Sequence, residues 1–231
     1  MRKLGLIGGM SWVSTRTYYE QINRIVQERQ AKHASAPLLI ESLDFSRLWG
    51  LTDDKDWDRA AKVLIDSAKR LTRAGAGAIL IGANSMHKVY DEVAEAVKVP
   101  IIHIADCVGR EMQAAKIESA ALIGTRNVMT ESFYRQRLIS HGIKLLPPEM
   151  DSVEMLDRII YDELMNGRAT RDAERSMKSL FTDLEKKEAK AIILACTELE
   201  MVVDIDANVL PIYDSTRIHA ARAAEWILGE D

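Results

Sequence analysis

Cys196, Thr197 and Glu198 follow directly on an apolar run, Ala191 to Ala195, in the stretch AIILACTELEM. A thiol can serve as nucleophile, acid/base or metal ligand, and its thiolate is the active form. A short apolar run that stops at small polar residues reads as a buried parallel strand delivering them at its carboxyl end. Open α/β sheets hold their ligands at that end. The chain carries a second version of the stretch: Ala78 to His87 reads AILIGANSMH, so Ala83, Asn84 and Ser85 fall where Cys196, Thr197 and Glu198 fall. Leu6-Ile7-Gly8 and Leu122-Ile123-Gly124 repeat in the same sense. One strand end thus offers a thiol. The other offers a methyl group, which can neither give nor take a proton.

Short neutral donors accompany both ends. Asn84, Ser85, Thr125 and Thr197 are the residue types that hold a carboxylate without neutralising it. His87 reads equally as a base and as a structural histidine. His103 falls inside an expected strand and reads as packed core, as does the thiol of Cys107. His33, His141 and His219 carry no functional expectation. Gly8-Gly9 permits a tight turn and close backbone approach. Met10-Ser11 then opens a helix whose free N–H groups would suit an anion, although a plain strand-to-helix turn explains the same residues.

Alternating elements must position these groups. Strands are expected at Leu4 to Ile7, Pro37 to Leu43, Ile79 to Ile81 and Val99 to Ile104, then at Ala120 to Ile123, Ile143 to Leu146, Ala189 to Ala195 and Leu210 to Tyr213. Between them the apolar spacing predicts helices. Ala60, Ala61, Leu64, Ile65, Ala68 and Leu71 share one face of a helix over Asp53 to Ala74. Others run to about Val97, over Asp106 to Ala115, Asp151 to Met165 and Thr170 to Glu188, and from a cap at Asp214-Ser215-Thr216. Strict alternation implies parallel sheets with helices on both faces. The expected fold is α/β, with two pseudo-symmetric lobes, each a parallel sheet flanked by helices, and an active-site cleft between them. Residues 1–105 with about 206–231 would form the first lobe, and 106–205 the second.

Composition narrows the classes. A chain of 231 residues makes one large domain or two small ones. Its net charge of −4, with both signs interspersed, gives no footprint for nucleic acid or a membrane surface. Met1-Arg2-Lys3 reads as leading into a strand rather than a signal peptide. Two cysteines make no disulfide framework, and the expected compartment is a reducing cytoplasm. Five scattered histidines without a CxxC argue against structural zinc.

The residues GGMSW at Gly8 to Trp12, NSMH at Asn84 to His87, Gly124-Thr125, and ACTE at Ala195 to Glu198 together resemble the aspartate/glutamate racemase family, over essentially the whole chain. The resemblance implies a cofactor-independent, metal-free homodimer acting on a small amino acid, here L-aspartate or L-glutamate. Cys196 would remove the α-proton, and a group from the other lobe would return one on the opposite face. Met10, Thr52, Asn84, Ser85, Thr125, Thr197 and Glu198 would bind substrate, and Arg47, Arg126 or Arg168 would meet its distal carboxylate. At position 83 two-cysteine members carry Cys and some asymmetric members Thr. Ala83 therefore leaves three readings: a replaced residue, a one-thiol enzyme using Ser85 or water, or a protein that binds an amino acid without turning it over. Relatives in the wider superfamily, such as maleate isomerase and arylmalonate decarboxylase, which also use a cleft cysteine and in some cases lack one of the pair, supply a further alternative, an isomerase or decarboxylase of a small diacid.

Overall fold

The computed structural model describes residues 1–48, 50, 51 and 53–230. The chain divides into two units: Met1–His103 joined by the chain from His219 onward, and Ile104–Ile218.

In the first unit the apolar runs become β1 (Leu4–Gly8), β2 (Leu38–Ser42), β3 (Ala78–Ile81) and β4 (Ile101–Ile102). They form one parallel sheet in the order β2-β1-β3-β4. Successive side chains of a strand point to opposite faces, so each face has its own core. Ile7, Ile79 and Ile81 meet Ala60, Leu64, Ala68 and Leu71 of α2 (Asp54–Arg73). Leu4, Leu6 and Leu80 meet Tyr18, Ile22 and Val26 of α1 (Trp12–Arg29) and Ala220, Ala223, Ala224 and Ile227. Helix α2 starts where Asp53 accepts a hydrogen bond from the Asp56 N–H. Asp54 and Asp56 in its first turn and Arg70 and Arg73 in its last suit the helix dipole. The helix expected to reach about Val97 is instead a 3₁₀ turn, Ser85–Val89, followed by the short α3 (Tyr90–Glu95).

The second unit contains α4 (Ile104–Ala114), β5 (Ser119–Gly124), α5 (Arg126–Thr130), α6 (Ser132–Ser140), β6 (Lys144–Leu145), α7 (Met150–Arg158), α8 (Arg171–Lys186), β7 (Ile192–Ala195) and β8 (Ile212–Asp214). Its strands are again all parallel and in the same spatial sequence, β6-β5-β7-β8. Helix α9 (Ser215–Leu228) starts in the second unit and ends in the first.

Register shows how closely the plan repeats. Ile7 pairs with Ile81 in one sheet and Ile123 with Leu194 in the other. Counting on from Leu6-Ile7-Gly8 and Leu122-Ile123-Gly124, Gly82 corresponds to Ala195 and Ala83 to Cys196. Each is followed by a 3₁₀ turn, Ser85–Val89 or Thr197–Met201.

Three expectations are corrected. The strand expected over Val99 to Ile104 shrinks to β4, because Pro100 has no N–H for the ladder and Ile104 already opens α4. His103 therefore lies at a strand-to-helix junction, not inside a strand. The helix expected over Asp151 to Met165 breaks at Arg158 into a π-helical turn, Ile159–Glu163, and a 3₁₀ turn, Leu164–Asn166. Gly167, at φ 72°, ends it as a left-handed cap. The return to the first unit comes at His219 rather than near residue 206, because β8 pairs with β7 and Leu210 is buried in the second unit's core.

Candidate active site

Cys196 is the first residue past β7, and its side chain is almost wholly buried. The thiol donates to Glu198 Oε2 at 3.2 Å, and Thr197 Oγ1 donates to the same oxygen at 2.7 Å. Glu198 is itself only 4% exposed. Burial drives the Cys196 thiol well above its ordinary pKa, and the Glu198 carboxylate adds to this; the backbone N–H groups of Glu198 and Leu199 act the other way. At neutral pH the resting thiol is therefore protonated, and it directs its proton at Glu198.

Two residues that sequence reasoning missed complete this strand end. The Tyr161 phenol is pushed up to about 12, first by burial and then by the charges of Asp157, Cys196 and Glu198. Tyr161 sits in the π-helical turn, a feature frequent at functional sites. Asp157 Oδ1 accepts from the Arg126 N–H at 3.0 Å, and its Oδ2 lies 3.5 Å from Arg126 Nε. Of the arginines named from sequence, Arg126 is thus tied beside Thr125. Arg168 donates to the Asp162 carbonyl at 2.5 Å, and Arg47 is exposed in the 3₁₀ turn Phe45–Leu48. Thr125 is buried, and its Oγ1 has no hydrogen-bond partner among the described residues. Gly124 is required here, because a Cβ would stand 2.6 Å from the Ala195 carbonyl oxygen just ahead of the thiol.

At the corresponding end of β3, Ala83 is buried in the same apolar cluster as Met10 and Met86. Asn84 is buried and Ser85 half-buried. Thr52 lies outside the described residues. Gly9 has φ 85°, and a Cβ there would meet the Leu43 carbonyl oxygen at 2.2 Å; its N–H donates to Thr15 Oγ1 at 2.7 Å. Ser11 caps α1 by accepting from the Ser14 N–H at 3.4 Å.

Behind Ala83 the first unit collects three buried histidines. His87 Nδ1 donates to the Ala83 carbonyl at 2.9 Å, and its ring lies 4.5 Å from that of His103 and 5.8 Å from that of His219. His219 Nε2 donates to the Ile102 carbonyl at 2.9 Å, which leaves Nδ1 to accept from the Tyr18 hydroxyl at 2.8 Å. Burial, and then His87, push the His219 pKa down to about 3, so this ring is a neutral structural element. Its long-range bonds left no mark in the local sequence.

Among the described residues, no three His, Cys, Asp or Glu side chains are grouped so as to hold a metal ion, and no helix is long and apolar enough to cross a membrane.

The family model described as Asp/Glu/Hydantoin racemase matches residues 7–223. The chain belongs to that family. Membership places this racemase-family protein among the isomerases, and its two-sheet fold matches solved structures of that kind. A candidate Asp/Glu racemase from Yersinia pestis shares 38% identity, with 99% of this chain and 100% of that one covered at a TM-score of 0.91. An aspartate racemase homologue from Pyrococcus horikoshii shares 32% identity over the same shares, at a TM-score of 0.86. The broad specificity amino-acid racemase RacX of Bacillus subtilis is 25% identical over 161 residues, 70% of this chain and 69% of that protein.

Proposed function

We propose that this family member acts on the α-carbon of a small acidic amino acid, L-aspartate or L-glutamate, with Cys196 as its acid/base thiol. The observation that carries the reading is the buried hydrogen bond from the Cys196 thiol to Glu198 at the carboxyl end of β7. The thiol proton passes to the Glu198 carboxylate, and the thiolate takes the α-proton. The negative charge then moves into the substrate carboxylate, where preorganised donors stabilise it. Thr125 Oγ1, buried without a hydrogen-bond partner among the described residues, suits that task, and Asn84, Ser85 and the main chain of Thr197, whose hydroxyl is committed to Glu198, complete the proposed set. Glu198 is thereby a positioning and proton-accepting residue, where the sequence had suggested a substrate contact. Met10 and Thr52 remain part of the proposed binding set, with Arg126 favoured for the distal carboxylate because Asp157 holds its guanidinium Nε at 3.5 Å, next in sequence to Thr125. Action without a cofactor, a homodimeric assembly and a cytoplasmic setting belong to the same proposal.

Inversion needs an acid opposite the base, and Ala83 supplies none. The proposal therefore assigns the second proton to Ser85 or water. It expects α-proton exchange with solvent to be faster for the L-enantiomer than for the D-enantiomer. Proton NMR in deuterium oxide tests this: loss of the α-signal from L-aspartate or L-glutamate that disappears in Cys196→Ser supports it. Equal exchange of both enantiomers, or exchange unaffected by Cys196→Ser, overturns it.

Ala83 also favours a second reading. Loss of carbon dioxide from a malonate-type diacid leaves a carbanion that needs one proton on one face, so a single thiol suffices. Turnover of a malonate with no exchange into amino acids would select this reading over the first.

A further inference from the structure

The second unit contains a cavity of about 290 Å³ outside the thiol cluster. Its walls are apolar: Ala121 and Ile123 of β5, Val153 and Leu156 of α7, and Leu180 and Leu184 of α8. Ala121, Ile123, Val153 and Leu156 are nearly inaccessible, whereas Leu180 and Leu184 are partly exposed and so offer the apolar surface that a ligand can reach. An apolar cavity of roughly 150 Å³ is enough to hold benzene, and small-molecule sites combine apolar walls with a few convergent polar groups. Here those groups include one cation and one anion. Lys187, the residue after α8, is ion-paired to Glu149, the residue before α7, and both side chains are about half exposed.

We propose that this cavity binds a zwitterionic α-amino acid with an apolar side chain, such as leucine or phenylalanine. The side chain fills the apolar recess, the ligand carboxylate takes Lys187 and the ligand ammonium takes Glu149. A ligand with one charge would satisfy one partner of the ion pair and leave the other without its counter-charge. A zwitterion replaces both contacts at once, and it carries its two charges at one end of an apolar body. The site is distinct from Cys196 and takes a different class of side chain from the acidic substrate proposed above, so it stands or falls separately from the thiol chemistry.

Isothermal titration calorimetry on the full chain tests it, with L-leucine and L-phenylalanine as ligands and hexanoate and hexylamine as single-charge controls. One amino acid is expected to bind per chain, at least tenfold more tightly than either control. Glu149→Gln and Lys187→Gln are each expected to weaken it about tenfold or more while leaving the melting curve intact, because both residues are on the surface. Ala121→Leu, which fills the recess, is expected to abolish binding; if it fails to fold, the two surface variants decide. No binding up to about 10 mM, affinity unchanged in both surface variants, or a control that binds as tightly as leucine would each overturn the proposal.

Discussion

β3 and β7 are one strand built twice, and they end in opposite chemistry. Each is paired at the same register with the first strand of its unit, and each leads into a 3₁₀ turn. Past β7 stand a thiol, a hydroxyl and a carboxylate joined by hydrogen bonds. Past β3 stand a methyl, an amide and a hydroxyl, with buried histidines behind them. The helical segments that follow β1 and β5 repeat as well: Tyr18 in α1 and Tyr134 in α6 sit at matching places counted from Gly8 and Gly124, and both are fully buried. Yet the Tyr18 hydroxyl meets His219, whereas the Tyr134 phenol is pushed up chiefly by its burial. Backbone pairing and helix placement are shared between the halves, while side chains at the strand ends have diverged. The scaffold does not dictate the chemistry, because side chains just past the ladder carry no part of the pairing that holds the sheet together.

The comparison breaks most sharply at Cys196. Cys196→Ser should reduce α-proton exchange by about 10³-fold, within the range attributed to a positioned acid/base; NMR exchange rates that change less than about tenfold would mean that the β7 end is not the chemical one. Making the halves alike is the converse experiment. Ala83→Cys should raise conversion of L- to D-enantiomer by about 10- to 100-fold, followed by chiral chromatography, and no gain would show that position 83 is not limiting.

Glu198→Gln removes the carboxylate that opposes thiolate formation. Turnover should fall about tenfold for want of a proton acceptor, while alkylation of Cys196 by iodoacetamide should begin at lower pH than in the parent. A shift to higher pH would contradict the assigned direction.

The smallest effect concerns stability and belongs to the first unit. An unfolded histidine takes a proton near 6.5, but His219 in the folded chain stays neutral until about 3. Its contribution is fully present above pH 6.5 and is lost as pH falls toward 3, at about 1.4 kcal/mol per pH unit. Urea unfolding between pH 7 and pH 4 measures that slope, and His219→Gln should reduce it. Counting from Ile104 and Ser215, which open α4 and α9, the residue matching His219 is Val108, so the second unit lacks this liability.

Much of this was legible in the sequence, for a physical reason. Apolar runs that stop abruptly at Ala83-Asn84-Ser85 and Cys196-Thr197-Glu198 announce strand ends, and strands closely paired at their centres keep that register. Asp53, Thr170 and Asp214 likewise announced helix starts, because capping is local. What stayed hidden depends on distant partners or on irregular backbone. Tyr161 comes near Cys196 only through a π-helical turn that no residue spacing advertises. Tyr18 and His219 are 201 residues apart, so neither looked important alone. The first unit's recovery of the chain at His219 was misjudged because Leu210 to Tyr213 reads as apolar strand whichever sheet receives it.

Helix α9 has a consequence for how the protein is made. Ile104–Ile218 is continuous, so a ribosome can release everything that unit needs in one piece. The earlier-synthesised unit has to wait, since Ala220, Ala223, Ala224 and Ile227 are still to be translated and form part of its interior. The amino-terminal half should therefore be the last to mature.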